Sequence, residues 1–336
     1  MKTVRTQDAV GMPLAHDLTQ IIPGQYKGAR FKKGHIVAEE DIPVMLSMGK
    51  ENLYVLELGD DDVHEDEAGA RIAVAAAGAN IVRNAKGEGK VELNAGCRGI
   101  LRVDQEKLLE LIDDDEIMFA TIQGNQLVER GQLIAGTRVI PLYVKEQTVA
   151  RAERVRDIVQ IDPIRPASVG IVTTGSEIFH GRIQDKFGDI LRKKFGALGC
   201  TVMEQVFADD EEQMIADCIL SLKEKGAGMI AVTGGMSVDP DDRTPAGIRR
   251  AGTEIITYGA PVLPGAMFLL GYLENVPVVG LPGCVMYHGA SVFDLVVPRL
   301  LTGERMDRRA IKQLGHGGLC RGCKVCTYPN CGFGKG

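Results

Sequence analysis

At 336 residues the chain is long enough for two or three domains and a sizeable buried core. Its apolar share of 45% and charged share of 25% are those of an ordinary globular protein. The net charge of −6, with no basic cluster, argues against nucleic acid or an anionic membrane as partner; a small anion held by backbone N–H groups stays open.

The first residues, MKTVRTQDAVGMPLAHD, carry no continuous apolar run, so no signal peptide is expected there. The most apolar windows, GAPVLPGAMFLLGYL and VPVVGLPGCVM, are short and broken by Pro and Gly, so neither is expected to span a bilayer. The chain is therefore expected in the cytoplasm, where thiols stay reduced. Residues 1–60 alternate short apolar runs with Gly and Pro, the texture of a β-rich segment of strands and turns. GDDDVHEDEAGARIAVAAAGA then predicts a helix whose acids complement its N-terminal dipole. His64 with Asp62 or Asp66 could be read as a metal site, but a solvated helix start is the preferred reading. Residues 61–150 form a mixed α+β extension, and TVARAERVRDIV predicts a charged linker helix over 151–165, closed by the prolines of IDPIRP.

From residue 166 strands and helices alternate regularly. ASVGIVTTG, CTVMEQV, MIAVTGG and VPVVGLPG read as strands; GDILRKKFGALG, DEEQMIADCILSLKEKG, TPAGIRRAG and VMYHGASVFDLVVPRLL read as helices. That pattern over 166–303 predicts an α/β domain with a parallel sheet covered on both faces, beside a mixed β-rich α+β N-terminal region. Ligands of such sheets bind beyond the carboxyl ends of the strands. Three strand ends carry small or Gly-rich loops: VTTGSE (172–177), VTGGMSVDPDDRT (232–244) and LPGCVM (281–286). Glycines let backbone approach a ligand, and free N–H groups favour phosphate. Carboxylates beside a phosphate site are expected to hold a metal ion or move protons, which singles out Glu177, Asp185, Asp241 and Asp242. Thr244, ahead of Pro245, is expected as a helix N-cap.

TGGMSVDPDDRTPAGIR (233–249) resembles the signature of molybdopterin-binding domains. Its first half is similar to the molybdopterin molybdotransferases, and its P-D-D-x-T half to the adenylyltransferase and competence-damage-inducible branches. TTGSEI, the segment GRIQDKFGDILRKKFGALG and the run YGAPVLPGAMFLLGYLENVPVVGLPG resemble the same family. The resemblance covers about 165–303 and implies a three-layer α/β/α domain binding molybdopterin through its phosphate. It implies catalytic roles in handling molybdate or Mg2+ for Glu177, Asp185 and Asp242. The cofactor-binding candidates are Thr173, Thr174, Gly175 and Ser176 in the first loop, Thr233, Gly234, Gly235, Ser237, Asp241 and Thr244 in the second, and Pro282 and Gly283 in the third. The chain departs from the family where a K-P-G-K turn reads LPGA (263–266), where L-P-G-N-P reads LPGCV (281–285), and in lacking the family's S-x-M-D-G-Y-A segment.

Four of the eight cysteines are dispersed, at Cys97, Cys200, Cys218 and Cys284; the rest fall in a tail, 304–336, as Cys320, Cys323, Cys326 and Cys331. In a reducing compartment that clustering predicts metal ligands rather than disulfides, and four thiolates suit either Zn2+ or an iron–sulfur cluster. His316 reads as a linker residue.

Three functions follow. The first is a molybdenum-cofactor biosynthesis protein that inserts molybdate into molybdopterin or its adenylylated form. The second is a non-catalytic carrier or sensor of that cofactor, with a metal-binding tail that serves a client molybdoenzyme. The third is a Mg-dependent nucleotide pyrophosphatase. The family also implies a homodimer.

Overall fold

The computed structural model describes residues 2–22, 26–56, 61–236 and 242–336. The chain divides into two compact units: Met1–Gly96, Val103–Ile122 and Gly131–Gln160 form one, and Cys97–Arg102, Gln123–Arg130 and Ile161–Gly336 the other.

The first unit holds a four-stranded antiparallel sheet in the order Ile81–Gly87, Lys90–Ala95, Leu133–Val139, Ile117–Thr121. The Glu65–Ala76 helix packs closely against it: a Cβ on Gly69 would lie 2.1 Å from the Gly89 carbonyl. Its start is capped rather than solvated, because the Asp66 amide donates to His64 Nδ1 (3.1 Å) and the His64 side chain is only 11% exposed. Ahead of it, Leu14, Leu18, Met45 and Leu53 form a small core. Here the strand texture misled at one place: Asp41–Ser47 is a helix, with Pro43 in its first turn, where proline is tolerated, and the Asp41 carboxylate accepting the Ala38 amide (2.9 Å).

The linker helix expected over 151–165 does not form. A helix covers Glu146–Ala152, Asp157 turns the chain at φ 55°, and Val159–Pro163 is a strand. Burial explains the choice: Val159 and Ile161 alternate inward with period two, which a charged helix would have exposed.

The second unit is built on one six-stranded sheet, ordered Thr201–Ala208, Ser168–Thr174, Met229–Thr233, Val276–Leu281, Leu269–Leu273, Glu254–Tyr258. The first four strands are parallel and the last two join antiparallel. Alternate residues feed two separate cores. Ile171 and Ala231 pack with Leu191, Phe195, Val292 and Val296; Val172, Ile230 and Val232 pack with Ile215, Ile219, Leu222 and Ile248. The helices Phe187–Ala197 and Val292–Leu300 thus cover one face, and Glu212–Glu224 and Thr244–Arg250 the other. This is the three-layer α/β/α arrangement with a mostly parallel sheet. The segment expected as one helix over 285–301 is two, Cys284–Tyr287 and Val292–Leu300, because Ser291 and Asp294 form a capping box that starts the second afresh.

A half-buried ion network ties the end of this unit to its strand segments. Glu304 accepts from Arg299 Nε (2.9 Å) and Nη2 (2.5 Å) and from Arg102 Nη2 (2.5 Å), while Arg102 Nε donates to Asp162 (2.7 Å). Burial alone would raise the Glu304 pKa, but the hydrogen bonds and charges of the two arginines hold it below the ordinary value. A depressed pKa contributes stability above the unfolded value, about 4.3, which is lost as pH falls through the folded one. In urea titrations the wild type should therefore exceed Glu304→Gln in midpoint at pH 7, and the difference should vanish in acid. A difference constant with pH would mean the network contributes through shape rather than charge.

Candidate functional site

The strand order puts a topological switch between Ser168–Thr174 and Met229–Thr233: the chain leaves the first strand to one side and returns to form the second on the other. Both strands end in threonines, and the close approach of their loops is set by glycine. Gly234 has φ 93°, and a Cβ there would lie 2.1 Å from the Thr174 carbonyl; on Gly235 (φ 49°) it would lie 2.7 Å from Thr244 Oγ1. Behind the glycines, the Thr174 and Thr244 hydroxyls are 2.7 Å apart, and Thr174 Oγ1 also donates to the Thr233 carbonyl (3.3 Å). Thr244 is therefore fully buried inside its helix, with Arg243 at the cap position, instead of capping it. Pro245 does sit in the first turn.

In front of the glycines lies a cavity of about 580 Å³. Its walls are Gly234, Gly235, Met236 and Asp242, the turn Leu263–Met267, the third loop Pro282, Gly283 and Cys284, and the ring of Phe187. The second and third predicted loops thus meet, together with the LPGA turn. The first loop does not line the cavity. Thr173 and Thr174 are buried behind it, Gly175 turns the chain at φ 129°, and Ser176 is held by acids: its amide donates to Asp210 Oδ2 (2.9 Å) and its hydroxyl to Asp209. Ser237 and Asp241 lie outside the described residues.

The three acids expected to act together have different roles. Asp242 lines the cavity. Asp185 holds the start of the Phe187–Ala197 helix, accepting the Phe187 (2.8 Å) and Gly188 (3.0 Å) amides and Gln205 Nε2 (2.6 Å). Gln205 Nε2 also donates to Thr173 Oγ1 (2.9 Å), which links Asp185 to the strand end. Glu177 is exposed on the first loop. Among the described residues no group of three His, Cys, Asp or Glu side chains is arranged to hold a metal ion. The carboxylate of Asp185 is taken up by the helix start it serves.

The cavity's chemistry is sparse. Its described lining contains no Lys or Arg, and burial pushes the Cys284 thiol up, against the pull of its own and the Val285 amide, so it stays protonated at neutral pH. At the end of the Met229–Thr233 strand, the fully buried Thr233 hydroxyl has no hydrogen-bond partner among the described residues, an arrangement that costs about 1–3 kcal/mol.

Sequence reasoning missed Asp209 and Asp210, which follow the Thr201–Ala208 strand as FADDEEQ. Their signal was an acid pair at a strand end just ahead of a helix, the same signal that had marked the other loops. The Ser176 hydroxyl and the Asp210 amide hold Asp209 below the usual carboxylate range.

The tail is ordered on the second unit. Phe333 is buried, the Tyr328 hydroxyl donates to the Asp294 carbonyl (3.0 Å), and Leu263 exchanges backbone hydrogen bonds with Gly318 and Cys320 (2.8 Å each). Cys320, Cys323, Cys326 and Cys331 are free thiols lining one cavity of about 100 Å³, without converging on a metal-holding arrangement.

Comparison with known proteins bears on the switch-point domain. Residues 170–302 match the family described as "Probable molybdopterin binding domain". Residues 3–57 match a "Domain of unknown function (DUF8806)". The molybdopterin molybdenumtransferase of Haemophilus influenzae is 26% identical over 161 residues, 45% of this chain and 39% of that protein. A CinA-like protein of Syntrophus aciditrophicus is 34% identical over 86 residues, 25% of this chain and 20% of its own. The matches thus span two fifths or less of these relatives. The crystal structure of the molybdopterin biosynthesis enzyme MoaB from Thermus thermophilus overlaps 41% of this chain and 98% of its own, at 22% identity and a TM-score of 0.34.

The glycine contacts predict a graded pair of substitutions. Gly226→Ala has the same backbone sign (φ 91°) but open space, whereas Gly234→Ala must displace a carbonyl. Gly234→Ala should cost about 1–3 kcal/mol beyond Gly226→Ala in denaturant unfolding. Equal losses would show that backbone strain, not the close approach, governs the loop.

Proposed function

We propose that the strand-end cavity binds molybdopterin or its adenylylated form, and that the protein works in molybdenum-cofactor biosynthesis. The observation that carries the reading is the meeting of the TGG loop, the LPG loop and the LPGA turn around one cavity within the segment matched by the molybdopterin-binding family. In this reading the Gly234 and Gly235 amides receive the phosphate, since without side chains they can approach it. Phe187, Met236 and Met267 offer an apolar wall to the pterin ring. The cysteine tail enters as a metal site beside this pocket.

Between insertion of molybdate and plain binding, the lining favours binding. A site that handles molybdate and phosphate gains from fixed cations, and here the family's lysines are Leu263 and Ala266. The cofactor is then carried or sensed on behalf of a client enzyme, rather than completed.

Equilibrium binding of purified molybdopterin to the purified chain tests this. Binding at micromolar concentration without turnover on adding molybdate is expected, and Leu263→Lys with Ala266→Lys should tighten it roughly tenfold by adding charge-assisted hydrogen bonds. Active cofactor appearing with molybdate would restore the insertion reading. Hydrolysis of ADP-ribose, lost in Asp242→Ala, would favour the pyrophosphatase. No pterin binding at all would remove the family-level reading.

A further inference from the structure

The tail cavity and the strand-end cavity have no lining residue in common, but the backbone joins their walls. Leu263, Pro264 and Gly265 line the strand-end cavity, and the backbone of Leu263 forms a parallel bridge with Leu319: its amide donates to Gly318 and its carbonyl accepts from Cys320. On its other side the same turn is held by the next helix, whose Val292 amide donates to the Pro264 carbonyl (3.1 Å); a Cβ on Gly265 would lie 2.4 Å from the Val292 side chain. The third loop is shared as well. Cys284 lines the strand-end cavity, and four residues on, His288, Gly289 and Ala290 line the tail cavity. There Cys326 presses on the backbone so closely that a Cβ on Gly289 would meet its Cβ and Sγ at 2.9 and 3.0 Å.

The cysteines differ in how they are held. Cys320 is fixed by its bridge to Leu263, and Cys331 lies between the anchored Tyr328 and Phe333. Cys323 and Cys326 sit on the exposed stretch 321–327, which has no helix or strand. Two thiols anchored by backbone and ring packing and two on a stretch without helix or strand, all around one cavity, form a set that a soft metal can close by drawing that stretch inward.

We propose that Cys320, Cys323, Cys326 and Cys331 bind one soft metal centre, Zn2+ or an iron–sulfur cluster, and that its loading braces the Leu263–Gly265 turn and, through His288–Ala290, the Cys284 end of the third loop, both of which wall the strand-end cavity. The proposal rests on the tail reading above and not on which ligand the cavity takes, so its test uses no pterin. Binding exchanges up to four thiol protons for the metal, with no change in cysteine oxidation state.

The test uses the full chain purified without oxygen, then stripped by chelator and reloaded with Zn2+ or with equal Fe2+ and Fe3+ and sulfide. One centre per chain is expected; acid-labile sulfide with broad visible absorption identifies a cluster, and colourless stoichiometric zinc the alternative. Loading should slow hydrogen exchange at the Leu263 and Cys320 amides roughly tenfold. Cys323→Ser with Cys326→Ser should lose the metal and the protection together, while Cys97→Ser should keep both. Circular dichroism and exchange in the Ser168–Thr174 strand show that the double variant is folded. Metal retained by that variant, less than stoichiometric metal after reloading, or loaded protein with unchanged exchange at Leu263 and Cys320 would each overturn the proposal.

Discussion

Where the strands Ser168–Thr174 and Met229–Thr233 end side by side, the Thr174 carbonyl occupies the place a Cβ on Gly234 would need. Everything at the ligand end of the second unit follows from that approach. It brings the Thr174 hydroxyl within bonding distance of Thr244, which buries the start of the next helix and leaves the Gly234–Gly235 backbone facing the cavity. A parallel sheet supplies the strand ends, but only residues without side chains let two of them come so near. The site is thus a property of backbone first, and its side chains act mainly as supports.

That division of labour explains why several polar residues near the loops are engaged behind the cavity rather than in it. Asp185, Gln205 and Thr173 form a chain from a helix start to a strand end, and Ser176 is taken up by Asp209 and Asp210. Each holds a loop in position by satisfying backbone donors that the sheet leaves open. The described walls of the pocket are mostly Gly, Pro, Leu, Met and Phe, with Asp242 as their one carboxylate, so most of the polar side chains stand behind it.

The alternation of strands and helices after residue 166 was legible because both periods are strong there: residues 215, 219 and 222 of one helix and alternate residues of the strands do face the cores. What could not be read was which Gly-rich strand end lines the cavity and which stands behind it, since VTTGSE and VTGG look alike until the sheet order is known. Thr244 was misread as a cap because a threonine before proline carries the same signature whether its hydroxyl turns to its own helix or to Thr174. The failed linker helix has a similar cause: the charges of TVARAERVRDIV outweighed a two-residue alternation that only burial reveals. Asp185 shows the reverse case, a carboxylate singled out from sequence that in the structure accepts the first amides of a helix.

The second unit is not one stretch of chain. Arg102, which completes the Glu304 network, and Arg98, which donates to the Ala197 carbonyl (2.7 Å), come from a segment more than fifty residues upstream of the sheet's first strand. A piece of the gene starting at Ile161 would encode every loop of the cavity but leave Glu304 with half of its cationic partners. Recombination that shuffled the ligand-binding half as a cassette would therefore carry a latent defect, selecting against its separation from the residues before it.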